Sequence, residues 1–271
     1  MSLKNLMVHL DQGPRVGVRL ELAVALAQTH AARLVGVFGQ RARAKQVGTV
    51  ASWPSDEYLQ AAAEARARFE AATKDLPQSA WHDVNRGGDA ELLRQISATA
   101  RYGDLMILGQ HEEGAANLVP MELPEEVMTH SGRPILVMPY AGTFPTVGRR
   151  PLIAWTGSRR SARAVADALP LMRGCESATL VSMDSDHNDA EVGCRELTTY
   201  LATHGITVRT ELLTSEDIGI MDLLLNTVTD HGADLLVMGG RQQATLPFGN
   251  KGAGTRHILQ QMTVPVLMSC G

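Results

Sequence analysis

The chain repeats itself, and this repeat constrains its fold more than any other feature of the sequence. The segment Gly103–Gly109 reads GDLMILG, and Ala233–Gly239, 130 residues later, reads ADLLVMG. A second pair of segments, Pro134–Met138 and Pro265–Met268, reads PILVM and PVLM. Self-similarity at a long period indicates that one structural unit is used twice. The chain of 271 residues is long enough for two domains of about 100–150 residues each.

The two copies differ in length between their first strands and their repeated segments. Asp11 follows the first apolar run, and Thr156 takes the matching place 145 residues later, so the first copy holds additional residues. We place them in the polar stretch 41–54, which has no sustained period. The stretch 140–150 is rich in glycine and proline and is interpreted as the linker. The predicted domains are therefore residues 1–144 and residues 145–271.

The order of apolar runs and helical patterns predicts an α/β fold. In each copy, short aliphatic runs alternate with helical patterns such as Val165, Ala168, Leu169 and Met172, which follow i, i+3, i+4, i+7 spacing. Continuous aliphatic runs are typical of parallel strands that are covered on both faces. We therefore predict two tandem doubly wound domains, each a five-stranded, mostly parallel sheet flanked by helices. The predicted strands lie near residues 4–11, 33–39, 81–86, 103–109, 134–139, 151–156, 178–183, 207–213, 233–239 and 264–269.

Charge and cysteine usage exclude several classes of function. The net charge is −4 and the basic residues are scattered, so no basic half or tail is present to neutralise a nucleic-acid backbone. We expect no nucleic-acid partner. Cys175, Cys194 and Cys270 are widely spaced and form no CxxC motif, which fits a reducing cytoplasm rather than a disulfide scaffold. No apolar run reaches membrane-spanning length, so we expect a cytoplasmic protein with no membrane partner.

A glycine-rich loop in the second copy is the strongest candidate for a ligand site. The segment Gly239–Gln242 reads GGRQ, and Gly249–Arg256 reads GNKGAGTR just before a helix that we predict to begin near Thr255. Glycines let the main chain approach a ligand, and the amides of a helix N-terminus attract an anion. Lys251 adds positive charge. The loop fits a phosphate cradle, although its spacing is neither that of the P-loop nor that of the Rossmann motif. A plain turn that caps the helix is the alternative.

The second copy resembles a universal stress protein domain. The resemblance is carried by Leu152–Ser158, Ala162–Ala164, Met238–Gly239 and Thr263–Leu267, and it extends over both halves, as in the tandem members of that family. It implies an adenine-nucleotide α-hydrolase-like fold and a regulatory role in the stress response. It also implies ATP, with Mg²⁺, as the ligand of the glycine-rich loop.

The same resemblance implies which residues hold the nucleotide. The loop of ATP-binding members is G-x2-G-x9-G-[ST], and this chain keeps that spacing with Gln242 in place of the second glycine and Ala253 in place of Ser or Thr. Thr156 replaces the family's first-strand acidic residue, and Met183 would lie against the adenine unless it only packs in the core. The implied cofactor-binding residues are Thr156, Met183, Met238, Gly239, Gln242, Gly252, Ala253, Gly254 and Thr255.

The first copy has acidic residues where the second has the cationic loop. Pro124, Glu125 and Glu126 take the positions of the segment 255–257. Proline has no N–H to donate, and carboxylates at a helix N-terminus favour the helix but repel a phosphate. We predict that the first copy does not bind nucleotide phosphates there. Asp11 keeps the family's acidic residue, although a strand-end Asp can also serve only to accept turn amides.

Neither a catalytic group nor a metal site is indicated by the sequence. The nine histidines form no HxH or HExxH pattern. Ser158 lies outside any G-x-S-x-G motif, and we interpret it as the N-cap of a helix that begins near Arg159.

Three hypotheses about function follow from these observations. The first is a stress-response regulatory protein whose second domain binds ATP or a related adenine nucleotide. The second is a nucleotide-free interaction or scaffold protein, and the third, ranked last, is a slow ATP hydrolase. By family resemblance, the apolar last strands of the two copies pair antiparallel and form an internal pseudo-dimer. The sequence leaves open whether whole chains form a homodimer.

Overall fold

Two compact units make up the chain, Ser2–Arg133 and Pro134–Gly271, which we call the first unit and the second unit. The computed structural model describes residues 2–41, 45–47, 50–52, 54–84, 87–111, 118–183, 187–213, 219–241 and 253–271. Both units have the predicted α/β architecture. The boundary after residue 144 stays a prediction about the extent of the sequence repeat.

The first unit is built on four parallel strands. Its elements are β1 Asn5–Leu10, α1 Val16–His30, β2 Arg33–Phe38, β3 Lys45–Val47, β4 Val50–Ser52, α2 Asp56–Thr73, β5 Ser79–Asp83, α3 Asp89–Ala100, β6 Leu105–Gly109 and α4 Leu123–Ser131. The strand order is β5-β2-β1-β6, and every pair in it is parallel. The order reverses between β1 and β6, which is where ligands bind in open α/β sheets. The short strands β3 and β4 form an antiparallel hairpin in the predicted insertion.

The second unit repeats this plan. Its elements are β7 Ile135–Met138, β8 Pro151–Trp155, α5 Arg159–Met172, β9 Ala178–Ser182, α6 His187–Thr203, β10 Val208–Leu212, α7 Ile220–Asp230, β11 Leu235–Gly239, α8 Ala253–Gln261 and β12 Val266–Ser269. The strand order is β10-β9-β8-β11-β12-β7, with β7 antiparallel to β12 and the other pairs parallel. The predicted antiparallel pairing of the two last strands is thus confirmed.

The ten predicted strands are all present, and one is displaced. The third strand of the first copy is β5 at Ser79–Asp83, two residues earlier than predicted. It pairs with β2 from Leu34 opposite Ser79 to Phe38 opposite Asp83, so its ladder ends where β2 ends. The end of β5 cannot be predicted from its own sequence pattern, because the neighbouring strand β2 determines where the pairing stops.

Local capping explains several helix boundaries. Ser55 accepts a hydrogen bond from the Tyr58 amide at 3.2 Å and so caps α2, as its position before two acidic residues predicts. Gly205 follows α6 with a φ of 75°, a left-handed conformation that glycine adopts without strain. None of the helices in the described part of the chain is long and apolar enough to cross a membrane.

Candidate functional site

Three hydroxyl groups meet at the end of the first strand of the second unit. Thr156 follows β8, and its Oγ1 lies 3.0 Å from Oγ of Ser158 and 3.4 Å from Oγ of Ser161. Ser158 is the N-cap of α5: its hydroxyl accepts from the Ser161 amide, while the Ser158 amide donates to the Ser161 hydroxyl. The predicted N-cap role of Ser158 is confirmed. The hydroxyl of Thr156 therefore lies beside the N-terminus of α5.

Gly239 ends β11 directly against the first turn of α5. A Cβ atom on Gly239 would lie 2.7 Å from the main-chain carbon of Arg160 and 2.7 Å from the amide nitrogen of Ser161. Any side chain would push helix and strand apart, so glycine is required for this packing. The next residue, Gly240, donates its amide to the Ser269 carbonyl oxygen at 2.9 Å. This bond fixes the direction in which the chain leaves the sheet.

The first turn of α8 carries the other described part of the loop. The Arg241 amide donates to Oγ1 of Thr255 at 2.9 Å, and Thr255 is buried. Gly254 lies against the Met221 side chain, and a Cβ there would be 3.2 Å from the sulfur. Ala253 is exposed, and the first turn contains no acidic residue. The described part of the loop is thus tied to the first turn of α8 through the Thr255 hydroxyl, and that first turn contains no acid.

Two methionines among the implied cofactor-binding residues, Met183 and Met238, differ in exposure. Met183 is half-buried, and its amide donates to the Trp155 carbonyl oxygen at 2.9 Å, which continues the β8–β9 edge. Met238 is only 6% exposed and belongs to the core of β11. A ligand beyond the strand ends could therefore reach Met183 more readily than Met238. Gln242 and Gly252 lie outside the described residues.

A buried charged cluster closes the end of the first strand in the first unit. Arg19 of α1 donates from Nη2 to Oδ2 of Asp11 at 2.9 Å and from Nε to the His9 carbonyl oxygen at 2.7 Å. The other carboxylate oxygen of Asp11 accepts from the Gly13 amide at 2.7 Å. Burial by itself would raise the pKa of Asp11, but Arg19, His9 and the Gly13 amide hold this pKa below its usual range. Asp11 therefore remains ionised within the cluster.

His9 is the third member of the cluster and is almost completely buried. Its Nε2 lies 2.7 Å from the Gly39 carbonyl oxygen, which can only accept, so Nε2 carries the proton. Its Nδ1 lies 3.6 Å from Oδ2 of Asp11. Burial lowers the pKa of His9 to about 4; the negative charge of Asp11 opposes this shift and the positive charge of Arg19 adds to it. The imidazole is therefore neutral at neutral pH.

Arg19 is the residue of this cluster that the sequence interpretation missed. It lies in α1 near Val16, Leu20 and Ala23, and all three of these residues are buried. A long cation on the apolar stripe of a helix is unusual, because arginine is rarely buried unless it is paired. That position in the stripe was the available signal. The suggestion that Asp11 accepts a turn amide is confirmed by the bond from Gly13, but the ion pair was not anticipated.

Comparison with solved structures identifies the fold. Over 99% of this chain and 97% of the other, the structure matches a universal stress protein from Archaeoglobus fulgidus DSM 4304, with a TM-score of 0.68 and 14% identity. Over 99% of this chain and 93% of the other, it matches a candidate universal stress protein from Pseudomonas aeruginosa UCBPP-PA14, with a TM-score of 0.61 and 17% identity. The chain has the universal stress protein fold. No protein-family model and no curated protein matches the sequence.

Within this universal stress protein fold, α4 and α8 occupy equivalent places in their units but differ in charge. Each follows the fourth parallel strand of its unit. The first turn of α4 contains Pro124, Glu125 and Glu126, as predicted, and Glu125 is 4% exposed. The first turn of α8 contains no acid, although His257 Nε2 lies 2.7 Å from Oδ1 of Asp222 on α7. An anion would therefore meet less repulsion at α8 than at α4.

Proposed function

We propose that this chain is a regulatory binding protein of the universal stress type, with an adenine nucleotide site in its second domain, residues 145–271. ATP with Mg²⁺ is the nucleotide that the sequence resemblance implies. The proposal places the phosphates near Gly239 and the first turn of α8, the ribose near Thr156 and the adenine near Met183. We also place the protein in the cytoplasm. Homodimerisation and the internal pseudo-dimer remain predictions.

The contrast between the two helix N-termini carries this proposal. Glu125 and Glu126 stand in the first turn of α4, whereas α8 begins with exposed Ala253 and has no acid in that turn. Helix N-termini stabilise anions through free amides and the helix dipole. A carboxylate in the first turn takes the place of an external anion and repels a phosphate. The second domain is therefore the half of the chain that suits a phosphate.

The described residues limit how a metal would be held. Neither the segment 156–161 nor the segment 239–241 contains a carboxylate, the ligand type that Mg²⁺ prefers in proteins. In the described part of the chain, no group of three or more His, Cys, Asp or Glu side chains has the arrangement of a metal site. In our proposal Mg²⁺ therefore arrives with the nucleotide, held by its phosphates and by water.

Transplanting the charge of the first copy into the second tests the proposal. Residue 253 matches position 122 of the first copy, a glutamate that directly precedes α4, and Ala253 is the first residue of α8, so Ala253→Glu places a carboxylate in the first turn of that helix. A carboxylate about 8 Å from a phosphate charge costs about 2 kcal/mol at an effective dielectric constant near 20, so affinity should fall at least about tenfold. The fold should not suffer, because an acid in the first turn of a helix is favourable. Ala63→Glu, on an exposed position in the middle of α2, is the matched control.

Isothermal titration with ATP and Mg²⁺ separates the outcomes. The proposal expects heat for the wild type and Ala63→Glu, and weakened binding for Ala253→Glu. Equal affinity in the two variants would remove the α8 site. No heat and no thermal shift in the wild type at millimolar nucleotide would leave the nucleotide-free interaction protein as the better account. Slow ATP hydrolysis remains the least supported function, because the cofactor-binding residues implied by the sequence resemblance include no general base.

A further inference from the structure

The space at the end of the central strands of the first unit is filled by a side chain of the chain itself. We call this space the strand-end crevice: it lies beyond the carboxyl ends of β1 and β6, where the strand order reverses. Arg19 reaches it from α1 and contacts both strands. It bonds to His9 and Asp11 on the β1 side, and its Nη1 lies over Gly109 at the end of β6.

Gly109 shows how completely Arg19 takes up this space. A Cβ atom on Gly109 would overlap Nη1 of Arg19. Among the described residues, no atom outside Arg19 and the immediate neighbours of Gly109 comes within 4 Å of that Cβ position. The equivalent glycine of the second unit, Gly239, instead meets the main chain of α5. The first unit thus holds a guanidinium group where the second has helix backbone.

We propose that Arg19 is a permanent internal occupant of the strand-end crevice, which closes the first unit to external ligands and leaves Asp11 unavailable to them. Both oxygens of Asp11 already accept hydrogen bonds, one from Arg19 and one from the Gly13 amide. An external ligand would have to displace a group that is tethered at the site and therefore present at a high effective concentration. This inference does not depend on whether the second domain binds a nucleotide.

Chemical rescue tests whether a free cation can occupy the space that the Arg19 side chain fills in the wild type. Arg19→Ala removes the atoms of ethylguanidinium, so this cation is the probe that fits the vacated space. Thermal unfolding is followed with increasing ethylguanidinium and, at equal ionic strength, with ethylammonium. We expect ethylguanidinium to raise the Tm of R19A in a saturable way, while the Tm of the wild type and of the double variant D11N/R19A does not rise. A loss of stability in R19A that ethylguanidinium does not restore would overturn the proposal.

A double-mutant cycle tests the same occupancy without a ligand. Gly109→Ala should lower the Tm of the wild type by at least about 4 °C, since the new methyl group displaces the guanidinium. In the R19A background the same change should shift the Tm by less than about 1 °C, because the space is then open. Gly17→Ala, which meets no atom within 4 Å on α1, is the control. Equal effects of Gly109→Ala in both backgrounds would show that Arg19 does not fill the crevice.

The test remains decisive if R19A does not fold unaided. The variant is then refolded from urea in ethylguanidinium and in ethylammonium, and native circular dichroism is compared. A higher yield in ethylguanidinium supports the proposal, and equal yields in the two cations contradict it.

Discussion

Acidification should destabilise the protein through His9 at a higher pH than it does through Asp11. His9 is 1% exposed, and its Nε2 proton is donated to the Gly39 carbonyl oxygen. Its pKa is lowered by burial to about 4, against 6.5 for the free side chain. A base whose pKa is lower in the folded state takes up its proton preferentially on unfolding. The stabilisation that neutral His9 contributes is therefore complete above about pH 6.5 and is lost as the pH falls towards about 4.

The size of the effect follows from the two pKa values of His9. One pKa unit corresponds to about 1.4 kcal/mol, so the full difference is worth about 3 kcal/mol. Between about pH 7.5 and about pH 4.5, the linkage relation gives a loss of about 2–3 kcal/mol in the free energy of unfolding. The pKa of Asp11 is also lowered, but from 3.8, so its contribution is lost at lower pH than this interval. The interval therefore reports mainly on His9 within the cluster.

Urea unfolding at a series of pH values measures this loss, and His9→Gln isolates it. Glutamine does not titrate and can still donate to the Gly39 carbonyl oxygen, so H9Q should lack about 2–3 kcal/mol of the pH dependence of the wild type over the interval from about pH 7.5 to about pH 4.5. His82, exposed on β5, provides the control H82Q. If H9Q and wild type lose stability in parallel over the interval, His9 is not held neutral by burial and the reasoning fails.

Two further predictions concern the second unit. Gly239→Ala should lower the free energy of unfolding by about 2 kcal/mol or more, because the new Cβ would lie 2.7 Å from the main chain of α5; urea titration against Gly17→Ala, which should be neutral or stabilising by up to about 1 kcal/mol, checks this. Equal stability in these two variants would contradict the close packing of β11 on α5. Ser158→Ala should cost about 1 kcal/mol by removing the acceptor for the Ser161 amide. The exposed control Ser177→Ala should change stability by less than about 0.5 kcal/mol, and an equally small effect at Ser158 would argue against the capping box.

The sequence repeat predicted most of the fold correctly, because the relevant signals are local. Aliphatic runs such as Leu105–Gly109 and Leu235–Gly239 are strands in both units. The caps Ser55 and Ser158 lie at the predicted helix starts, since capping depends on residues only three positions apart. The predicted insertion 41–54 contains the hairpin of β3 and β4, whose strands are too short to be recognised from their pattern.

The candidate site was predictable only in outline. Topology places Thr156 and Gly239 at neighbouring strand ends, as expected from the carboxyl ends of parallel strands. The bond from the Arg241 amide to the Thr255 hydroxyl joins residues 14 positions apart in the chain, so no local sequence pattern predicts it. The acidic first turn of α4 was read correctly, because charge at a helix start is a property of adjacent residues.

The sequence by itself determined the repeat, the alternation of strands and helices, and the difference in charge between the loops of the two copies. The tertiary structure decided how the chain uses these elements. Strand β7, the last strand of the first sequence copy, pairs antiparallel with β12, the last strand of the second copy. An edge strand has unpaired main-chain groups, and the fold decides which strand lies beside it to pair with them. Arg19 forms an ion pair with Asp11 because its position on α1 brings its guanidinium group close to both β1 and β6. Such a contact depends on distances between elements, which the order of residues does not contain.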